Sequence, residues 1–379
     1  MSNPRLVLTL LILTVAVQLA AQQPYWVECE QNGQLPTIIW DGAMAMADKD
    51  DTVAYRFGGQ VDVFPFDFTT DEFYAYDLET GTWTQLASQP VAAADPMMIS
   101  GPCAHCVTVV GGRGRFRTGG DLMYPQMVSY QTKADKWREE DPGDVTAIRR
   151  SSATIIEVPD GPALTQRRYY LFGGVGNTLP SFPTTPTGLR NDVAVYDHVN
   201  GWQNLETFGE RPAPRSWYLA AYSPAAHGIF FFGGYRLGIN QGPDTSPGAL
   251  FGPTNFENDL WFLDLITRVW TRLEPNGEGP STRDNARGFV DVGRNLLVLY
   301  GGQRHDSVVT DLWTYSPTAN QWQEVTLPTT AAMPQGRVGS AWFVRETDSA
   351  YELYIHGGAT GDGSGTLLDD MWKLVWPKL

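Results

Sequence analysis

Arginine is the residue type whose spacing in this sequence most clearly suggests chemistry. The 27 basic residues are 22 arginines and five lysines. A guanidinium offers a planar fork of donors that fits a carboxylate, a sulfate or a phosphate with two hydrogen bonds. Three arginines follow a proline with two residues between them, and a looser equivalent lies earlier in the chain: Arg215, Arg283 and Arg337, with Arg149 or Arg150. These residues are the first candidates for binding an anionic ligand.

A second group of basic residues follows pairs of glycines, in segments rich in polar residues. Its members are Arg113, Arg115 and Arg117, then Arg236, and then Arg304 with His305. Both groups also have a structural interpretation. The arginines that follow a proline could pair with loop carbonyls or with acidic residues of a neighbouring sheet, and the loop arginines could be simply solvated. We keep both interpretations open and take all of these residues as candidates.

The elements that must position these arginines form an internal repeat. An apolar or aromatic run ends in Gly-Gly six times, and the second glycines lie at positions 59, 112, 174, 234, 302 and 358. Such runs bounded by glycine are typical of strands and turns. The intervals, about 60 residues each, fit four strands with their loops.

Each repeat continues with a second recognisable pair of strands. An acidic residue usually opens the strand after the loop, as in the runs 192–197, 259–264 and 311–315. A tryptophan then begins the next strand: Trp83, Trp137, Trp202, Trp270 and Trp322. We expect the glycines to adopt positive φ, the tryptophans to fill the space between sheets, and the acidic residues to accept hydrogen bonds from loop amides. In the second repeat Gln126 replaces the acidic residue.

The sixth repeat lacks its last strand, because the run 370–374 leads almost directly into the C-terminus. The missing strand is found near the other end of the chain. Trp26 precedes Pro36 by ten residues, the same spacing as from Trp270 to Pro280. We therefore expect the N-terminal strand to complete the last sheet and close a ring, which protects the sheet edges. Residues 22–379 then form a single domain.

This pattern resembles the Kelch-repeat family in its glycine pair, its aromatic third strand and the tryptophan that opens the fourth. The resemblance implies an all-β fold, a six-bladed Kelch-type β-propeller closed by the N-terminal strand. In such a fold the loops between second and third strands, and the connections between blades, emerge on one face. Both groups of arginines fall on this loop face, and those that open a first strand are expected near the mouth of the central channel.

Composition limits the classes of partner. The chain has 379 residues, a formal net charge of −15, 42% hydrophobic residues and 18% charged residues. The negative charge argues against a general nucleic-acid or anionic-membrane binder. The apolar content is sufficient for a large core.

Residues 1–21 have the layout of a signal peptide, with an apolar run from Leu6 to Val17 and a small-residue end at Ala21. We expect a secreted protein, extracellular or periplasmic, with no membrane span. The three cysteines are too few for a disulfide framework. Cys103 and Cys106 have a redox or metal spacing, but small buried residues beside a turn are the alternative.

These observations favour a recognition module that binds a protein or an anionic carbohydrate through the loop face and channel mouth, as a monomer. We expect no cofactor, no metal and no nucleic acid. The alternative is a sugar-modifying enzyme similar to the sialic acid mutarotases, which are six-bladed Kelch proteins, although no catalytic residue can be assigned. The copper site of galactose oxidase needs two tyrosines, two histidines and a crosslinked cysteine, and this chain can hardly assemble it. An intracellular scaffold is the third class.

Overall fold

The structure is a computed structural model that describes residues 23–379 apart from 48–49, 62–67, 88–90, 116–120, 160–165, 178–186, 237–255, 306, 329–330 and 362–364. The expected signal peptide lies outside the described residues. Among the residues that are described, no helix has the length and apolar character needed to cross a bilayer.

Nearly all of the regular structure is β-strand. The strands of the first half are β1 (Tyr25–Glu28), β2 (Asn32–Gly33), β3 (Ala43–Met46), β4 (Val53–Phe57), β5 (Phe73–Asp77), β6 (Thr82–Gln85), β7 (Met97–Ser100), β8 (Cys106–Val110), β9 (Arg113–Arg115), β10 (Asp121–Met123), β11 (Met127–Gln131), β12 (Lys136–Glu139), β13 (Arg150–Ser151), β14 (Ile155–Pro159) and β15 (Arg167–Phe172). One short helix, α1 (Val145–Ile148), lies between β12 and β13.

The second half continues in the same way. Its strands are β16 (Val175–Asn177), β17 (Thr187–Leu189), β18 (Val193–Asp197), β19 (Gly201–Leu205), β20 (Leu219–Ser223), β21 (Gly228–Phe232), β22 (Leu260–Asp264), β23 (Trp270–Leu273), β24 (Arg287–Asp291), β25 (Leu296–Gln303), β26 (Val308–Ser316), β27 (Gln321–Glu324), β28 (Ala341–Glu346), β29 (Ala350–His356) and β30 (Met371–Pro377).

The described strands form six sheets of four antiparallel strands, numbered here in chain order. In each list the innermost strand comes first: sheet 1 is β3-β4-β5-β6, sheet 2 is β7-β8-β11-β12, sheet 3 is β14-β15-β18-β19, sheet 4 is β20-β21-β22-β23, sheet 5 is β24-β25-β26-β27 and sheet 6 is β28-β29-β30-β1. Sheet 1 is extended by β2, which runs parallel to β6. Strands β9 and β10, and strands β13, β16 and β17, form two smaller sheets.

The first described strand lies in the same sheet as the last one. Strand β1 pairs antiparallel with β30, which places Trp26 opposite Leu374 and Glu28 opposite Trp372. The ring of Trp26 is buried and lies 4.6 Å from the ring of Tyr300 in sheet 5. The outer strand of sheet 6 therefore comes from the beginning of the chain.

The innermost strands surround a central channel. Strand β3 contacts β7, β7 contacts β14, β14 contacts β20, β20 contacts β24, β24 contacts β29, and β28 contacts β3. All six innermost strands line one cavity of about 640 Å³. The all-β propeller architecture predicted from the sequence is confirmed.

The repeated tryptophans fill the space between sheets, as expected. Trp202 of sheet 3 is fully buried in a cluster with Met97 and Ile99 of sheet 2. Trp270 of sheet 4 lies 5.2 Å from the ring of Phe172 in sheet 3. Large aromatic rings at such junctions supply much of the buried apolar area that holds one sheet against the next.

The glycine pairs are required where one sheet meets the next. Gly233 of sheet 4 has φ of 65°, and a Cβ there would lie 2.6 Å from the carbonyl oxygen of Arg283, at the start of sheet 5. The amide of Gly234 in sheet 4 donates to the carbonyl of Arg283 in sheet 5 at 2.9 Å. A residue with a side chain would meet both backbone strain and a close contact at such a position.

Candidate functional site

The arginines that follow a proline are buried within their own sheets. Arg283 is 1% exposed, and its two terminal nitrogens bind both oxygens of Asp311 at 2.5 and 2.8 Å. One of these nitrogens also donates to the carbonyl of Gly301, the first glycine of the pair, at 3.0 Å. The same three-part contact joins Arg150 to Asp192 and Gly173, Arg215 to Asp259 and Gly233, and Arg337 to Asp370 and Gly357.

This contact shows what the acidic residue of each repeat does. We expected it to accept hydrogen bonds from loop amides, but in sheets 3 to 6 its main partner is the arginine guanidinium of the same sheet. Burial acts to raise the pKa of Asp311, but the hydrogen bonds and charge of Arg283 outweigh it and hold this pKa below its usual range. Because the N–H donors of these arginines are used inside the sheet, the arginines stabilise the scaffold.

Sheet 2 makes an equivalent contact with different residues. The amide of Gly59 donates to the carbonyl of Ala93, just as the amide of Gly234 donates to the carbonyl of Arg283. Ala93 therefore occupies in sheet 2 the position that Arg283 has in sheet 5. Gln126, which replaces the acidic residue, donates from Nε2 to the carbonyl of Gly111 at 3.0 Å. The carbonyl of the first glycine is thus bound by a side-chain donor even where the arginine is missing.

The loop arginines lie in varied surroundings. Arg236 is paired with Glu257, and exposed Arg304 donates to the hydroxyl of Ser307 at 3.0 Å. His305 is exposed, and Arg149 is half-buried with its Nε buried and unbonded among the described residues. The side chain of Arg115 and all of Arg117 lie outside the described residues.

Among the loop arginines that the sequence analysis selected and that the structure describes, Arg113 alone contacts the mouth of the central channel. Its Nε donates to Oδ2 of Asp95 at 3.0 Å, and its Nη2 lies 3.5 Å from Oδ2 of Asp41. The guanidinium therefore bridges two carboxylates that belong to different sheets. Its side chain is 16% exposed.

Both aspartates belong to a ring of six residues at the beginning of the innermost strands, which we call the ring mouth. The amide of Gly358 donates to the carbonyl of Ile39, so Ile39 is the equivalent of the arginine in sheet 1. Each sheet contributes one residue with positive φ, two positions after the arginine or its equivalent: Asp41, Asp95, Ser152, Trp217, Asn285 and Gly339. The amide of Asp95 donates to the carbonyl of Asp41, and that of Asp41 donates to the carbonyl of Gly339. Backbone hydrogen bonds of this kind fix the position of the side chains around the channel.

Asp95 is the centre of a side-chain network across the ring mouth. Besides Arg113, it accepts from the hydroxyl of Ser152 at 3.0 Å and from Nε1 of Trp217 at 3.2 Å. Asp41 accepts from Nε2 of Gln60 at 3.1 Å. Burial, together with the charge of nearby Asp95, raises the pKa of Asp41 well above its usual value.

Arg287 is the cation that faces the channel itself. It lies on innermost strand β24 and lines the cavity, with its guanidinium 5.6 Å from the centre of the Trp342 ring. Its Nη2 donates to the carbonyl of Ser340 at 3.1 Å, while its Nε is buried and has no hydrogen bond to any residue that the structure describes. Among the described residues no carboxylate lies within ion-pair distance of this guanidinium. Burial lowers the pKa of Arg287 to about 10, so the side chain remains charged at neutral pH.

The channel wall below Arg287 is largely apolar. Half-buried side chains from five of the innermost strands line the cavity: Met46, Met98, Ile155, Tyr222, Trp342 and Val344. Arg287 is the one cation among the described residues that line this cavity of about 640 Å³, and Asp41, Asp95, Glu157 and Glu346 also line it. A cavity with an apolar wall and a few charged groups is a common arrangement for binding a small ligand or a short segment.

Asp284, which precedes the ring-mouth residue Asn285, gives the stability of the protein a measurable pH dependence. It is 3% exposed, and burial raises its pKa to about 7. Because the folded state binds this proton more tightly than the unfolded state does, Asp284 destabilises the folded protein increasingly as pH rises from about 4 to 7. We therefore expect Asp284→Asn to match the wild type at pH 4 and to exceed its free energy of unfolding by about 4 kcal/mol at pH 8.

Urea unfolding of both proteins at a series of pH values measures this difference. A difference between them that stays constant from pH 4 to pH 8 would contradict the assignment to Asp284.

The sequence analysis did not identify Asp41, Asp95, Asp284, Trp217 or Arg287. For Asp41, Asp95 and Trp217 the sequence did contain a signal. The residue two positions after the arginine, or after its equivalent in the first two repeats, changes from repeat to repeat. Variation at one fixed position of a repeat is expected where the scaffold presents a binding residue.

Comparison with known proteins agrees with the repeat and the fold. The model of the KLHDC2/KLHL20/DRC7 Kelch-repeats domain matches residues 161–376. Kelch domain-containing protein 2 of Bos taurus is 26% identical over 71% of this chain and 64% of its own length. Acyl-CoA-binding domain-containing protein 4 of Arabidopsis thaliana is 25% identical over 83% of this chain and 41% of its own length.

The chain thus spans less than two thirds of the length of these relatives. The match supports a protein-binding repeat module. Because the matching family model covers more than half of the sequence, and the described sheets carry its glycine pairs and tryptophans, the chain belongs to the Kelch-repeat family.

Proposed function

We propose that the protein is an exported recognition module that binds an acidic segment of a protein partner in its central channel, with Arg287 as the anchor. The observation that carries this proposal is the guanidinium of Arg287. It faces the channel, is charged at neutral pH and has no ion-pair partner among the described residues. A carboxylate that binds it would form charge-assisted hydrogen bonds in a partly desolvated site, where such bonds are strong.

The acidic residues nearby do not prevent such binding. The carboxylate of Asp95 is already bound to Arg113, Ser152 and Trp217. The raised pKa values of Asp41 and Asp284 favour their neutral forms. The field at Arg287 is therefore less negative than the count of acidic residues suggests.

The dimensions of the channel support a small bound group. A cavity of about 640 Å³ is within the range of small-molecule sites and holds a few residues of a peptide or one or two sugars. The ring of Trp342 and the methionines beside it would pack against the apolar part of the ligand. An anionic glycan is the other candidate for this cavity, and the experiment below includes both classes.

A binding screen with matched variants tests the proposal. Acidic peptides, uronic acids and sulfated oligosaccharides are added to the mature protein, and the melting temperature is measured. A ligand at about 100 times its Kd stabilises the folded state by about 2.7 kcal/mol. We expect an acidic peptide to raise the melting temperature, and Arg287→Gln to weaken its binding at least about tenfold, since a charge-assisted pair is lost.

Arg304→Gln is the matched control, because Arg304 is an exposed loop arginine whose side chain donates to the hydroxyl of Ser307. It should leave binding unchanged. Equal binding by the wild type and Arg287→Gln would exclude Arg287 as the anchor. Stabilisation by the glycans alone would replace the protein partner with a carbohydrate.

One observation favours a second candidate, a sugar-modifying enzyme. Asp41, with its raised pKa, and Asp95 lie on the two sides of Arg113 and have the unequal environments that an acid and a base require. The same sugars can be examined by NMR for catalysed exchange between anomers. Anomer exchange that the wild type catalyses and Asp41→Asn does not would favour the enzymatic function.

A further inference from the structure

The turn between β7 and β8 contains a disulfide between Cys103 and Cys106. The two sulfurs differ in access, since Cys103 is half-buried and Cys106 is fully buried. An asymmetric pair of this kind can be attacked from solvent at one sulfur only.

The turn does not need this crosslink to form. The corresponding turn of sheet 4 has the same Pro-x-x-His pattern, Pro224 to His227, with no cysteine. His105 and His227 both have positive φ, of 56° and 48°. Their carbonyls accept the same type of hydrogen bond, from the amides of Thr132 and Leu265, each at 3.0 Å. A disulfide that closes a ring of only four residues also constrains the unfolded chain little.

A polar cavity of about 380 Å³ lies beside the accessible sulfur. It is lined by Cys103 with Pro102, and by Arg138, Glu140, Tyr196 and His198 from strands of sheets 2 and 3 and their turns. Arg138 and Glu140 form an ion pair at its edge, and Nε2 of His198 is buried without a hydrogen bond among the described residues. These charged and polar groups suit a thiol-bearing peptide better than an apolar molecule.

Access also decides which sulfur leaves. The amide of Cys103 donates to Sγ of Cys106 at 3.1 Å, but the carbonyl oxygen of Cys103 lies 2.9 Å from the same sulfur, so these two backbone contacts do not select the leaving group. Because Cys106 is fully buried, attack from solvent falls on Cys103 and releases the sulfur of Cys106.

We propose that Cys103 and Cys106 form a thiol–disulfide exchange site for a dithiol or a thiol-bearing peptide, independent of the ligand in the channel. An incoming thiolate attacks Sγ of Cys103, the bond between the two cysteines breaks, and Cys106 leaves as a thiolate. A second thiol of the partner then attacks the mixed disulfide, so that the partner is oxidised to a disulfide. Cys103 and Cys106 are reduced and take up the two protons that the partner loses.

Glutathione and dithiothreitol are the probes for this site. All measurements use a Cys29→Ser background, because Cys29 is a free thiol whose pKa is raised to about 11 by burial. We expect glutathione to reduce the native pair without unfolding, and the reduced protein to melt close to the oxidised one. If the disulfide resists reduction until denaturant unfolds the protein, the proposal is wrong.

Single-cysteine variants test the direction of attack. Cys106→Ser should form a mixed disulfide with oxidised glutathione at Cys103. The reference is Ala225→Cys in a protein whose own three cysteines are replaced with serine. We expect Cys103 to react at least tenfold faster than the cysteine of this reference variant. Ala225 is the exposed counterpart of Cys103 in the turn of sheet 4. Cys103→Ser should form no adduct while folded, since Cys106 is buried. Equal rates at Cys103 and at Ala225→Cys would show ordinary surface reactivity and contradict a dedicated site.

Discussion

Replacing Arg283 with alanine is expected to lower the free energy of unfolding by about 4 kcal/mol, because removing one member of a buried ion pair leaves the other without compensation. Asp311 would keep a half-buried carboxylate without its cation, and the carbonyl of Gly301 would lose its side-chain donor. Guanidinium unfolding at pH 7, followed by tryptophan fluorescence, measures the loss.

Two further variants identify the cause. Arg272→Ala removes an ion pair whose side chains are 55% and 74% exposed, and it should cost less than about 1 kcal/mol. Arg283→Ala combined with Asp311→Asn should cost less than the sum of the two single changes, since the neutral amide needs no counter-charge. If Arg283→Ala unfolds within 1 kcal/mol of the wild type, then the repeated arginine does not hold the sheet together.

Replacing Trp26 with alanine is expected to cost about 4 kcal/mol, the range for truncating a large buried aromatic ring. Trp26 is 5% exposed and lies against Tyr300 of sheet 5, so the cavity would open between the last two sheets. Weakening of β1 would also expose the edge of β30, which favours association between molecules. Thermal unfolding and size-exclusion chromatography measure the two effects.

Tyr25→Ala is the control on the same strand, because Tyr25 is 48% exposed. It should change stability by less than about 0.5 kcal/mol. A similar loss in both variants would mean that general strand propensity, and not packing between sheets, explains the effect.

The regular parts of the fold could be predicted because their causes are local. A glycine is needed wherever φ is positive and a neighbouring backbone is close, as at Gly302, and that need recurs once in each repeat. A tryptophan that opens a fourth strand packs between two sheets, as Trp202 does, and this packing also recurs along the chain. Such residues therefore mark the unit, its period and its displaced last strand.

The partners of the arginines could not be predicted in the same way. Arg283 and Asp311 are 28 residues apart, and Arg215 and Asp259 are 44 apart. Sequence analysis identified both residue types as repeated, but the sequence allows the guanidinium to reach loop carbonyls, a neighbouring sheet or solvent. Only the antiparallel pairing within each sheet brings the carboxylate to the arginine.

By itself, the sequence determined a repeated four-stranded unit, the source of its missing strand and the family, since periodic glycine and tryptophan impose the same local constraints in every copy. The tertiary structure decided which arginine faces the channel. Arg283 and Arg287 are four residues apart and chemically identical, yet one is bound inside the sheet and the other faces the channel. The reason is geometric: the first lies before strand β24, within reach of Asp311, whereas the second lies on the innermost strand, whose side chains alternate between the sheet interface and the channel.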